Sequence, residues 1–352
     1  MTDSLFETMT QTPALDGQSA KLIKLENTSG MSITLMDIGA TWLSCLLPLK
    51  GQPREVILGV SSMSDFQQHN TYLGATVGRY ANRIALGQCV IDGKRVQLIT
   101  NQAGNSLHGG PEGFDKRRWD ITEQTKNSVT FSLISQNGDQ GFPGQLSVSV
   151  SYQLSEKNEV IIDYHALTDK ATPVNLTNHA YFNLDGAESG LDCKKHHLSI
   201  NADRYLPIDS TGIPLGDLAS VTDTSFDFRA GKLINHDFLT DQQQRSAKGY
   251  DHAYLLNPAQ KGVGVAKLYS ADKQVLLTVF TDKPAIQLYT GNWLAGTPNR
   301  CGGEYQDYAG VALETQFLPD SPNHSEWPQP TSILEPEDVY NYQTIYQFTV
   351  QP

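Results

Sequence analysis

Short runs in which apolar and polar positions alternate dominate the chain. "SVTFSLIS" (128–135), "QLSVSVSYQL" (145–154), "NEVIIDYHAL" (158–167), "QVLLTVFTD" (274–282), "AIQLYTG" (285–291) and "TIYQFTV" (344–350) repeatedly change character at alternate positions. That is the period of a strand with one face on a core and the other wetter. "KLIKLEN" and "MSITLMDIGA" open the pattern, and "CVIDGKRVQL" sets an Asp-Gly pair between two such runs, a strong local hairpin signal. No regular exchange of strand and helix patterns occurs. The reading is all-β, a large antiparallel β-sandwich with long loops and few, short helices.

Residues 1–20 lack the pattern and read as an N-terminal arm, leaving residues 21–352 as a single large β domain. "NGDQGFPG", "LDGAESGLD" and "PDSPNHSEWPQP" have the composition of elaborate loops rather than linkers, and no compositional break divides the chain. A length of 352 residues, with 39% hydrophobic and 18% charged positions, 29 Gly and 17 Pro, suits a turn-rich globular protein.

The formal charge of −12 argues against a broad nucleic-acid surface, which would need many Lys and Arg to neutralise phosphates. No run approaches 18 apolar residues, and "MTDSLFETMTQTPALDG" lacks the basic and apolar segments of a secretory signal, so no membrane span and a cytoplasmic location are expected. Cys45, Cys89, Cys193 and Cys301 are far apart and form no CxxC pair, so free thiols are expected. HExxH, the GxxxxGK[ST] loop, a convincing GxGxxG and the GxSxG elbow are all missing. No metal and no cofactor are therefore expected.

Against this background a few strands carry polar groups where apolar ones would be usual. In "NLTNHAYFNL" (175–184) an extended backbone puts His179, Tyr181 and Asn183 on one side and Ala180, Phe182 and Leu184 on the other. In "YAGVALETQFL" Glu314 shares a side with Ala312 and Gln316, opposite Leu313, Thr315 and Phe317. A buried unpaired carboxylate costs several kcal/mol, so Glu314 needs donors, water or a ligand, or else an exposed sheet face. In "AIQLYTGNW" Gln287 and Tyr289 face away from Ile286 and Leu288; the Gln287 amide could bridge two hydroxyls or lie on a wet face. Arg79, Asn82 and Arg83 in "VGRYANRIALG" fit either binding or structural pairing. His108 precedes two glycines in "NSLHGG", and Asp251 precedes His252 in "GYDHAYLL". The candidate histidines lie on separate segments, which weakens a metal reading.

Taken in order, "GRYANRI", "NSLHGG", "NLTNHAYFNL", "GYDHAYLL", "QLYTGN" and "ALETQFLPDSPN", with "GFPG" and "SFDFR" in support, resemble the aldose 1-epimerase (galactose mutarotase) family from about residue 22 to 350. The resemblance implies a galactose mutarotase-like supersandwich with an open sugar cleft, interconverting the α and β anomers of free aldohexoses such as D-galactose and D-glucose. It implies His179 as proton donor and Glu314 as proton acceptor, with Asn82, Arg83, His108, Tyr181, Asp251 and Gln287 positioning sugar hydroxyls. Arg79 and Asn178 have no secure counterpart. "LEPEDVY" (334–340) departs from the family pattern, with Glu337 and Asp338 after Pro336 where Gly-Glu is common.

Such a reaction needs a base at the anomeric hydroxyl and an acid at the ring oxygen, expected here on opposite sides of the hemiacetal. Ordinary pKa values give neutral His and ionised Glu near neutrality; a nearby carboxylate would favour protonated His179 and burial would oppose it. A glycosidase pairing Asp251 with Glu314, a non-catalytic sugar-binding module and a sugar-phosphate epimerase are the competing readings. Monomer and homodimer are both open.

Overall fold

The computed structural model describes residues 2–258, 260 and 262–351. A nine-stranded antiparallel sheet runs in the order Asp120–Gln124, Ser128–Ser135, Leu146–Leu154, Glu159–Thr168, Tyr340–Val350, Val275–Thr281, Ala266–Tyr269, His197–Ile200 and Lys232–Leu233. A six-stranded antiparallel sheet contains Tyr181–Phe182, Val311–Gln316, Ala285–Tyr289, Asp251–Leu255, Arg204–Tyr205 and Ala219–Ser220. A four-stranded sheet formed by Leu22–Glu26, Ser32–Met36, Thr41–Leu47 and Arg54–Glu55 completes the main framework.

The alternation in sequence is the alternation in space. Val148, Val150, Ile162, Leu277 and Phe348 of the large sheet share one core with Ile286, Leu288, Leu313 and Phe317 of the six-stranded sheet. The layers are also joined by polar contacts: Tyr346 Oη donates to the Leu313 carbonyl at 3.0 Å, and the Thr315 and Thr344 hydroxyls meet at 2.5 Å. The Glu314 and Tyr289 side chains point the other way, into a cavity. The Asp-Gly hairpin forms as expected, with Ile91 opposite Lys94 and Asp92 and Gly93 both at positive φ, the geometry that a two-residue turn between twisted strands demands.

Helix is confined to Thr2–Gln11, Met63–Gln68 and Gln242–Ala247 plus single 3₁₀ turns among the described residues. The first of these lies in the segment read as an arm. It is packed rather than loose: Met9, Ala14 and Ala20 are buried with Met36, Ile38, Leu58 and Met63. Thr8 donates to the Ser61 carbonyl, Gln67 to the Pro13 carbonyl, and Arg118 holds Asp16 through Nε. All four cysteines are free, as expected. No helix among the described residues is long and apolar enough to cross a membrane.

Candidate active site

A cavity of about 530 Å³, within the range of small-molecule sites, opens on the outer face of the six-stranded sheet. Its wall includes Asn82, Arg83, His108, His179, Tyr181, Asp251 and Glu314, residues drawn from five separate stretches of chain. Tyr72, Gln102, Tyr289 and Trp293 complete much of it.

His179 arrives at the wall because the Thr177–Asn178 and Tyr181–Phe182 strands are anchored by Leu176, Ala180, Phe182 and Leu184 in the core. Its side chain shares a face with Tyr181, ring centroids 4.8 Å apart, as the alternation predicts. Asn183 does not reach the cleft; its amide donates to the Leu191 and Ala309 carbonyls. Glu314 projects from Val311–Gln316, the strand between Tyr181–Phe182 and Ala285–Tyr289, paired in register with Gln287, and its Oε1 lies 3.6 Å from His179 Nε2. The two groups are therefore side by side rather than on opposite sides of a ligand. Glu314 is 2% exposed and His179 3% exposed, so the exposed-face reading of Glu314 is wrong.

Burial governs the protonation of both. It drives His179 down to about 4, and together with the Asp251 charge it drives Glu314 well above the usual carboxyl range, with the Arg83 guanidinium opposing. Each shift favours the neutral form. For both groups burial is the leading cause of the shift.

His108 is fixed by its neighbour. The Asn82 backbone N–H donates to His108 Nδ1 at 3.1 Å while the His108 N–H donates to the Asn82 carbonyl at 3.0 Å. Burial, then His179 and Arg83, push His108 well below its ordinary value, so the ring is neutral and its single proton sits on Nε2. Ligand atoms of His108, His179 and Glu314 do lie within 4.8 Å of one another. Separation in sequence was thus a poor reason to doubt a metal, but the tautomer is a good one: a protonated Nε2 donates and does not coordinate.

Asn82 adopts φ 65°, a conformation asparagine tolerates, and its Oδ1 accepts from the Arg83 backbone N–H at 2.9 Å. Arg83 Nε donates to Gln102 Oε1 at 2.9 Å, and its Nη1 stands 3.9 Å from Asp251 Oδ2. Gln287 stands behind the wall, where its amide donates to Asp251 Oδ1 at 2.7 Å. Through this bond Gln287 orients Asp251. Arg79 is structural: it is 1% exposed and donates to the Ser135, Pro143 and Gly144 carbonyls and the Ser135 and Thr172 hydroxyls. Asn178 likewise donates to the Gly74 carbonyl and to Tyr152 Oη.

Tyr72 and Trp293 were missed by sequence reasoning. Trp293 is 61% exposed at the rim with the Lys248 ammonium 3.7 Å from its ring centre, and nothing in its spacing marks it. Tyr289 did carry a signal, since the alternation in "AIQLYTG" places it on the face of Gln287.

The aldose 1-epimerase family model matches residues 21–347. Aldose 1-epimerase of Escherichia coli (strain K12) is 52% identical over 347 residues, covering 97% of this chain and all of that protein. Human galactose mutarotase is 40% identical over 302 residues, 86% of each chain. Among solved structures, an aldose epimerase homologue from C. elegans superposes with a TM-score of 0.87 at 31% identity, covering 95% of this chain and 100% of the other. Galactose 1-epimerase of Lactobacillus acidophilus NCFM superposes at 0.84 with 30% identity, covering 96% of each. On sequence and fold together, the chain belongs to the aldose 1-epimerase family and is an isomerase.

Proposed function

We propose that the protein interconverts the α and β anomers of free aldohexoses such as D-galactose and D-glucose, with Glu314 as base and His179 as acid. The observation that carries this reading is the pairing of His179 Nε2 and Glu314 Oε1, 3.6 Å apart on the wall of a 530 Å³ cavity. The anomeric hydroxyl and the ring oxygen are bonded to one carbon, so two neighbouring groups on one wall can serve both. Glu314 takes the hydroxyl proton as the bond from C1 to O5 breaks, and His179 delivers a proton to O5. Rotation about the bond from C1 to C2 presents the other carbonyl face, and the reverse transfers close the ring.

The shifted pKa values suit this exchange. A raised carboxyl pKa makes the carboxylate a stronger base, and a lowered imidazole pKa makes the imidazolium a stronger acid. The neutral pair that burial favours holds the same number of protons as the carboxylate–imidazolium pair, so the two differ by one internal transfer. Ring opening consumes the charged pair and leaves both groups neutral, the form the buried wall prefers. Arg83, which lowers Glu314, supports the carboxylate needed at the start. The His108 Nε2 proton can be donated to a sugar oxygen, including charge building on O5, while Asp251, Asn82 and Tyr181 address the remaining hydroxyls.

Anomer-resolved NMR of freshly dissolved α-D-galactose and α-D-glucose with catalytic protein tests the reading. Faster approach to the buffer equilibrium from either anomer is expected, with no other product. Unchanged rates for both sugars would contradict it, and release of a sugar from a glycoside would favour hydrolysis by Asp251 and Glu314 instead.

A further inference from the structure

His108 has its ring orientation fixed by a hydrogen bond at its second nitrogen; His179 does not. His179 Nδ1 is buried and has no hydrogen-bond partner among the described residues. Imidazoles used for proton transfer are ordinarily oriented by such a bond. With no partner on another residue, and only its own main chain near the ring nitrogen, the plane of the His179 ring depends on what packs on it.

Three rings pack close to it, Tyr181 at 4.8 Å tilted by 38°, His108 at 5.4 Å edge-on and Tyr72, and of these Tyr72 lies most nearly parallel to the imidazole. Its ring stacks against His179 with centroids 5.7 Å apart and an interplanar angle of 26°, and it meets His108 edge-on at 4.6 Å. Its backbone belongs to a turn locked onto His179 itself. The Ala75 N–H closes the turn on the Tyr72 carbonyl at 3.0 Å, the Gly74 N–H donates to the His179 carbonyl at 3.0 Å, and the His179 N–H donates to the Ala75 carbonyl at 2.9 Å. Tyr72 has φ 57°, a conformation rare for a bulky residue, and strain of this kind persists only where the surroundings enforce it. The same four residues thus hold the backbone of His179 and press a ring on its side chain.

We propose that Tyr72 is a positioning residue for the acid–base pair: its ring, not its hydroxyl, holds the His179 imidazole in the plane that directs Nε2 toward Glu314. The kinetic part of this inference rests on the mutarotase reading above. Tyr72→Phe keeps the ring. Tyr72→Asn removes it and accepts the positive φ more readily, and Tyr72→Met fills the gap with a flexible chain.

The experiment measures kcat and KM for α-D-glucose together with the His179 ring signals by NMR in the parent and all three full-length variants. Tyr72→Phe should keep kcat within about threefold of the parent, while Tyr72→Asn and Tyr72→Met should lose roughly 10-fold or more in kcat with KM little changed, as displaced catalytic groups do. The His179 ring signals should shift and broaden in Tyr72→Asn and Tyr72→Met but not in Tyr72→Phe. Equal kcat in Tyr72→Phe, Tyr72→Asn and Tyr72→Met, or a change confined to KM, would overturn the proposal. If one variant fails to fold, the other decides. If the parent itself does not accelerate exchange, the functional reading falls and the NMR signals alone decide the role of Tyr72: unaltered His179 signals in Tyr72→Asn and Tyr72→Met would overturn it.

Discussion

Glu314 projects from a strand whose neighbours Leu313 and Phe317 pack in the core, and its Oε2 is buried without a hydrogen-bond partner. Such a buried, unpartnered carboxyl burdens the fold. Its folded pKa lies well above the ordinary 4.5, so between that value and the folded one the unfolded chain is ionised while the folded chain retains the proton. Stability from this site is fully present below 4.5 and is lost as pH rises through the folded pKa. Glu314→Gln cannot ionise, so its melting temperature relative to the parent should climb as pH rises above 4.5, by about 2 °C for each kcal/mol in a chain this large. Thermal melts of both proteins from pH 4 to 8 check this; a difference independent of pH would contradict it. Arg79 and Arg83 illustrate what a single residue does not reveal. Both sit in one apolar stretch of sequence, yet Arg79 is spent on main-chain carbonyls and Arg83 faces the cavity, a distinction set by the loops around Ser135 and Gly144 that sequence spacing does not encode.

The turn carrying Tyr72 depends on Gly74. Gly74 has φ 68°, its carbonyl accepts from the Trp42 N–H at 2.8 Å, and a Cβ there would run into the Trp42 carbonyl oxygen. Gly74→Ala should cost about 1–3 kcal/mol for the backbone conformation alone and more for the clash, and it should lower activity because the displaced turn holds His179. Urea unfolding together with the exchange rate checks both; an unchanged midpoint would contradict the assignment. At this scale the strands were legible in the sequence and the turns were not. Period-two runs predicted Ser128–Ser135, Leu146–Leu154 and Ala285–Tyr289 closely because each has one face in a common core. The Asp92-Gly93 hairpin was legible because its turn chemistry is local. Tyr72 was silent because its role depends on a loop meeting a strand distant in sequence, and Thr2–Gln11 was passed over although Leu5, Phe6 and Met9 recur at helical spacing, because a single ten-residue run carries only those three apolar positions.

Across the whole molecule, the nine-, six- and four-stranded sheets share a core, and the six-stranded sheet leaves one outward face for the cavity. The packed N-terminal segment lies outside the matched family region yet buries Met9 in the cluster that reaches Tyr181 and Ala312. His179 and Glu314 were each visible in sequence as polar positions on apolar strands, and the family resemblance joined them. Their side-by-side arrangement was not visible, because it depends on the pairing of Tyr181 with Ala312 across two strands far apart in the chain. That pairing puts His179 and Glu314 on one wall. The account stands most directly on exchange rates of α-D-galactose, measured by NMR beside its binding affinity, for the parent, Glu314→Gln and His179→Asn. Each folded variant should bind sugar near the parent's affinity and lose roughly 10² to 10⁴-fold in exchange rate. A folded Glu314→Gln or His179→Asn protein exchanging anomers at the parent's rate would contradict the acid–base assignment.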